Sequence, residues 1–124
     1  MSIIPPPLCF LVFCFTLCNI ARGQAHEPII VSELLRITPL TRSTYMHTCD
    51  RSNGLIYTSA HEAVIVSTPP SDTATLQLIR WVSDSLRKDI GACVADRWHP
   101  DAMGGLDVVH HFNIPSYASE LTRQ

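Results

Sequence analysis

Between Asp96 and Leu106 the chain reads DRWHPDAMGGL, gathering Arg97, His99, Asp101 and the pair Gly104–Gly105 into one short turn after an apolar run. A neutral imidazole is an ordinary zinc donor, and a carboxylate is a second one. A guanidinium is neither, because it has only N–H donors and keeps its proton. The His-x-Asp spacing therefore allows a metal-binding loop. It equally allows a polar turn in which Asp101 caps a helix starting near Gly104. Two adjacent glycines suit either arrangement, since both need backbone that turns tightly and approaches its neighbours closely. His110 and His111 follow on a short amphipathic stretch, where solvent is the expected neighbour, and Trp98 is expected to pack around the loop. His47 and His61 have no partner visible in the sequence.

Rigid elements must hold such a loop. ELLRITPLT (33–41) and STYMHTCD (43–50) read as strands with partial alternation, and LIYTS (55–59) and AVIVST (63–68) as short β-branched runs. RSNG lies between the second and third of these, and its Asn53–Gly54 pair predicts a two-residue hairpin turn. TPPSD then breaks the strand. Ser71 or Asp72 is placed to cap a helix running to about Arg87, with Leu76, Ile79, Val82 and Leu86 near helical spacing. Gly91 is expected to end that helix, and ACVA (92–95) to form a fifth strand that feeds the loop. GGLDVVHHF reads as a short helix, IPSYA as a strand, and SELTRQ as the first turn of another helix. A meander of strands followed by strand–helix–strand–helix predicts a layered α/β sandwich.

The front of the 124-residue chain is different. Residues 8–20, LCFLVFCFTLCNI, form an apolar run too short to span a bilayer and of the length of a signal-peptide core. The small residues that follow place cleavage after Gly23 or Ala25. Residues 1–23 are expected to direct export to the periplasm or outside the cell, leaving a domain at 24–124 with no stable membrane insertion. Cys49 and Cys93 are then the remaining cysteines, too few for a disulfide framework. Cys93 lies in an apolar run and reads as a buried thiol. Cys49, beside Asp50 and Arg51, is expected nearer the surface, and a bridge between the two is open. From Gln24 on, eight Lys or Arg stand against eleven Asp or Glu, a net charge of −3. With no basic stripe, nucleic acid is not the expected partner.

On these residues the chain resembles the N-terminal half of a metallo-β-lactamase, subclass B1 in particular. That family's loop is His-x-His-x-Asp followed shortly by Gly-Gly. Here it reads Arg97-Trp98-His99-Pro100-Asp101, then Gly104-Gly105. SNGLI, STPP, LIRWVSDSL and GGLDVVHHFNIPSYASELT look like flanking segments of the family in the same order. The resemblance runs from Ile29 to Gln124.

The resemblance implies an αββα sandwich of which this chain covers roughly the first half. It implies a zinc hydrolase, using one or two ions, that opens the ring of a small-molecule β-lactam and is monomeric when full length. His99 would help hold the first zinc. Asp101 would bind the second and act catalytically by orienting the attacking water. A thioesterase or lactonase of the same superfamily is the alternative. Arg97 replaces the first His of the motif, so it is expected to pair with Asp96 or Asp107, or to lie over the cleft facing an anionic substrate. Ser67 stands where the family has the Asp of an Asp-Thr-Pro turn, and the Tyr45–Asn53 segment leaves no room for a flap. The family's further His, Cys and His ligands and its substrate-binding Lys belong to a second half, so the chain as given is expected to be inactive.

Overall fold

The computed structural model describes residues 26–123, and the expected export signal at 1–23 lies outside the described residues. Seven strands among them form one sheet in chain order: β1 (Ile29–Ile30), β2 (Arg36–Pro39), β3 (Thr44–Cys49), β4 (Ser52–Thr58), β5 (Glu62–Val66), β6 (Asp89–Ala95) and β7 (Ser116–Ala118). The first five pair antiparallel through short turns. The last two pairs are parallel and need crossovers. Helix α1 (Asp72–Trp81), extended by a π-helical turn at Val82–Leu86, supplies the first. Helices α2 (Pro100–Met103) and α3 (Leu106–His111) supply the second.

Side chains alternate across the sheet, as the period of a strand requires. Strand β4 buries Ser52, Gly54 and Ile56 and exposes Asn53, Leu55 and Tyr57. Ile37, Ile56, Ile65 and Cys93 share the buried side and form one core with Leu78, Ile79 and Val82 of the α1 segment and Val109 of α3. Full burial of each Ile, Leu or Val contributes about 1.5–3 kcal/mol. The other side stays open, with Leu55, Tyr57 and Tyr117 all exposed. The architecture is one helix-backed sheet, the α/β half-sandwich expected.

The β3–β4 turn is Asp50–Arg51, not Asn53–Gly54. Cys49 pairs with Ser52 across it, and Asp50 takes the positive φ of 52° that the turn needs. Asn53 and Gly54 lie inside β4. Gly54 is there for space, because a Cβ would collide with the imidazole of His47, its cross-strand partner, and with the Val66 carbonyl.

Helix α1 starts at Ser71, whose hydroxyl accepts from the Ala74 amide at 3.3 Å, while Asp72 opens the first turn. It ends at Arg87 in left-handed conformation, φ 55°, not at Gly91, which lies within β6. The final SELTR stretch is a turn in which the Ser119 hydroxyl accepts from the Thr122 amide. Cys49 is buried, 4% exposed, because it lies on the same face of β3 as His47. Both Cys49 and Cys93 are free thiols. Burial pushes Cys93 up to about 11 and, with the nearby Asp50 charge, raises Cys49 as well.

Candidate metal centre

Strand β6, flanked by β5 and β7, delivers the chain to Asp96 at its end. The turn that follows is tied back to the exit of β5. Thr68 donates its amide to the Ala102 carbonyl at 2.8 Å, and its hydroxyl accepts from the Gly105 amide at 3.0 Å. The glycine pair belongs to this tie. A Cβ on Gly105 would meet the Thr75 side chain, and one on Gly104 the Pro70 carbonyl. Pro100 opens α2, where its missing N–H costs nothing.

Beside this turn lies a cleft of about 500 Å³. Met46, Leu55 and Val66 floor it from the open side of the sheet; they are aligned because Leu55 pairs with Met46 on one side and Val66 on the other. Arg51, Ser67, Asp96, Arg97 and Asp101 supply its polar wall. Arg97 brings Nη1 to 3.8 Å from Asp96 Oδ2 and Nε to 3.5 Å from Asp101 Oδ2. The Nε contact is an ion pair without hydrogen-bond geometry. The pairing with Asp96 matches one of the two acids expected from the sequence. The second partner is Asp101 instead of Asp107: the bend at residues 97–99 turns the chain so that the first turn of α2 brings Asp101 back beside the guanidinium. Asp107 lies on α3, in a separate groove with Arg80 and His111.

His99 precedes α2 in extended conformation, φ −78° and ψ 151°, and its side chain makes no cap. Its ring is exposed and stacks on Trp98, with centroids 4.2 Å apart and planes 32° apart. It does not line the cleft that holds Asp101. Trp98 is itself 66% exposed, so it covers His99 and does not pack the loop. His110 and His111 are exposed as expected, and His110 Nε2 lies 2.7 Å from the Ser116 hydroxyl.

Behind the cleft wall sits a residue that sequence reading left without a role. His47 is 1% exposed and its Nε2 lies 2.9 Å from the Ser67 carbonyl. A carbonyl only accepts, so Nε2 carries the proton and donates. Nδ1 is buried without a partner. Burial lowers this imidazole to about 4, against weaker opposing effects of the Ser67 and Val66 backbone, so it is neutral at pH 7. Ser67 has φ 63° and donates its hydroxyl to Asp96 Oδ1. The only sign of this arrangement in the sequence is Gly54, small because His47 lies over it.

Among the described residues, no group of three or more His, Cys, Asp or Glu side chains is placed to hold a metal ion. His99 and Asp101 are two donors where a catalytic zinc typically uses three besides water. One of the two does not line the cleft and the other is already beside a cation. By themselves these residues do not fit a zinc ion.

A mixed sheet backed by helices on one side, with this loop at the end of β6, is an α/β layered fold, and the comparisons show which proteins share it. No family model matches the chain. It is 30% identical, over an alignment of 108 residues, to a metallo-β-lactamase type 2 of Bacteroides fragilis, covering 80% of the chain and 43% of that relative. It is 28% identical over 123 residues to a metallo-β-lactamase type 2 of Pseudomonas aeruginosa, covering 92% and 47%. Among solved structures, a metallo-β-lactamase of Erythrobacter litoralis with β-mercaptoethanol in its active site superposes with a TM-score of 0.74 at 29% identity, covering 78% of this chain and 46% of that one. A Pseudomonas aeruginosa metallo-β-lactamase in mono-zinc form gives 0.68 at 30% identity, covering 73% and 44%. The chain is metallo-β-lactamase-like in sequence and fold, and it spans about half the length of the curated relatives it matches.

Proposed function

We propose that the protein is a zinc-dependent hydrolase of the metallo-β-lactamase superfamily that opens the ring of β-lactams. The observation that carries this reading is the loop itself. His99 and Asp101, at His-x-Asp spacing, follow a sheet strand and lead into two close-packed glycines, beside a cleft on the open face of a metallo-β-lactamase-like sheet. In this reading Asp101 is the catalytic carboxylate and a metal donor, His99 is the second donor, and at least one more comes from outside residues 26–123. Arg51 and Arg97 line the same cleft with Asp96 and Asp101, so its wall offers groups of both signs to a polar substrate. The protein expressed from its own gene should hydrolyse a carbapenem, and a chelator should abolish the activity. Turnover of a thioester or a lactone with none of the carbapenem would move it elsewhere in the superfamily.

We also propose export to the periplasm or the medium, with the protein acting there as a monomer. The apolar run at 8–20 supports export, and no helix among the described residues is long and apolar enough to cross a membrane. Mass spectrometry of the exported product should find an N-terminus near Gln24 or His26. Recovery of intact protein from the cytoplasm alone would refute it.

A further inference from the structure

Asp101 is the carboxylate on which the metal reading depends, and a cation already stands beside it. Arg97 Nε lies 3.5 Å from its Oδ2, while the same guanidinium reaches Asp96 Oδ2 at 3.8 Å. Asp96 is held at its other oxygen by the Ser67 hydroxyl. Ser67 is itself pinned, its carbonyl accepting from His47 and its amide donating to Val94 at 2.8 Å. One carboxylate is thus anchored to the sheet and the other to α2, with the guanidinium between them on the cleft wall. A divalent metal bridging two carboxylates would meet the same pair of charges. Unlike an imidazole, a guanidinium does not lose its proton over the pH range in which proteins stay folded, so this cation cannot be titrated away.

We propose that Arg97 is a built-in cation in place of a metal ion at Asp101. The cleft is charge-balanced without metal, and Asp101 takes up zinc only when Arg97 is removed or displaced. Arg97 acts by repelling a second cation at contact range and by occupying the first donor position of the loop. The ion pair itself is weak, because all three side chains are more than 40% exposed. Donors supplied from elsewhere can therefore displace Arg97, and the inference is compatible with the proposed hydrolase. It concerns the same cleft but does not depend on that activity.

The test is a titration of the 124-residue chain with zinc alone, followed by calorimetry and by equilibrium dialysis with metal quantification. The unsubstituted chain and Asp101→Asn should bind zinc alike, since Asp101 contributes nothing while Arg97 is present. Arg97→His should bind zinc tighter by about tenfold or more, having gained a donor and lost a cation. Adding Asp101→Asn to Arg97→His should remove that gain, and Arg97→Gln should show a smaller gain with the same dependence on Asp101. Circular dichroism and tryptophan emission, sensitive to folding through the half-buried Trp81 packed on the core, report whether each variant keeps its fold. The proposal is overturned if Asp101→Asn alone weakens zinc binding about tenfold, because Asp101 would then be a donor with Arg97 in place. It is also overturned if folded Arg97→His and Arg97→Gln bind no tighter than the unsubstituted chain. If neither Arg97 variant folds, the comparison of the unsubstituted chain with Asp101→Asn decides alone. Substrate hydrolysis by the protein from its own gene is a separate measurement, so failure of the hydrolase reading and failure of this one are distinguishable.

Discussion

Protonating His47 in the folded chain places a charge in the core with one ring nitrogen facing no acceptor. Its depressed value, about 4 against 6.5 when unfolded, means that the unfolded chain takes up the proton first as pH falls. The stability linked to His47 is complete above pH 6.5 and is lost progressively between 6.5 and about 4, by about 3 kcal/mol. Urea unfolding at pH 7, 5.5 and 4 should show this loss, and His47→Gln should flatten that part of the profile. An equal slope in the variant would assign the loss to other groups. Nothing in the linear sequence pairs residue 47 with residue 54, so His47 was not legible as the support of Ser67. The departure at Arg97 was legible, because residue type alone excludes a guanidinium as a ligand. Its choice of Asp101 over Asp107 was not, since that depends on how the bend at residues 97–99 folds the chain back.

At the level of elements, the tie between the exit of β5 and the α2 turn places the candidate site. Thr68 carries it with one hydroxyl that accepts from the Gly105 amide where both residues are buried. Thr68→Val preserves shape and removes the acceptor, leaving a buried N–H unpaired. It should cost about 1–3 kcal/mol in chemical denaturation. A change under about 0.5 kcal/mol would mean that the backbone bond from Thr68 to Ala102 and packing hold the loop without the hydroxyl. The order of strands and helices was readable from periodicity and from the Ser71 cap. The hairpin was misplaced because Asn53–Gly54 is a strong turn signal, whereas Gly54 answers to a close approach across the sheet. Gly91 misled in the same way: a left-handed Arg87 ends the helix, and the glycine lies in β6 against the Glu62 side chain. Local sequence reports that a position must be small, but only the tertiary neighbours say why.

For the whole molecule, the donor inventory sets the expectation. The 124-residue chain should show no chelator-sensitive turnover of nitrocefin, because its loop supplies two candidate donors where such sites typically use three, and no group of three is placed together among the described residues. Measurable turnover abolished by a chelator would require a donor set that the described residues do not contain. The layered α/β architecture was legible from element order, whereas its being half of a sandwich and the site loop were legible only through the family resemblance. That His99 stacks on Trp98 and does not line the cleft was not legible, because side-chain neighbours in a turn are not ranked by sequence. The open side of the sheet, with Leu55, Tyr57 and Tyr117 exposed, has a colloidal consequence. Apolar surface on a regular strand array is adhesive, so the chain should self-associate as its concentration rises. Light scattering of the purified chain should rise faster than linearly with concentration, and Leu55→Lys with Tyr57→Lys should suppress the rise while leaving the core intact. Chaperones that recognise exposed apolar strands would meet such a surface first, and the amount of chain kept in solution would depend on their supply as much as on its folding free energy.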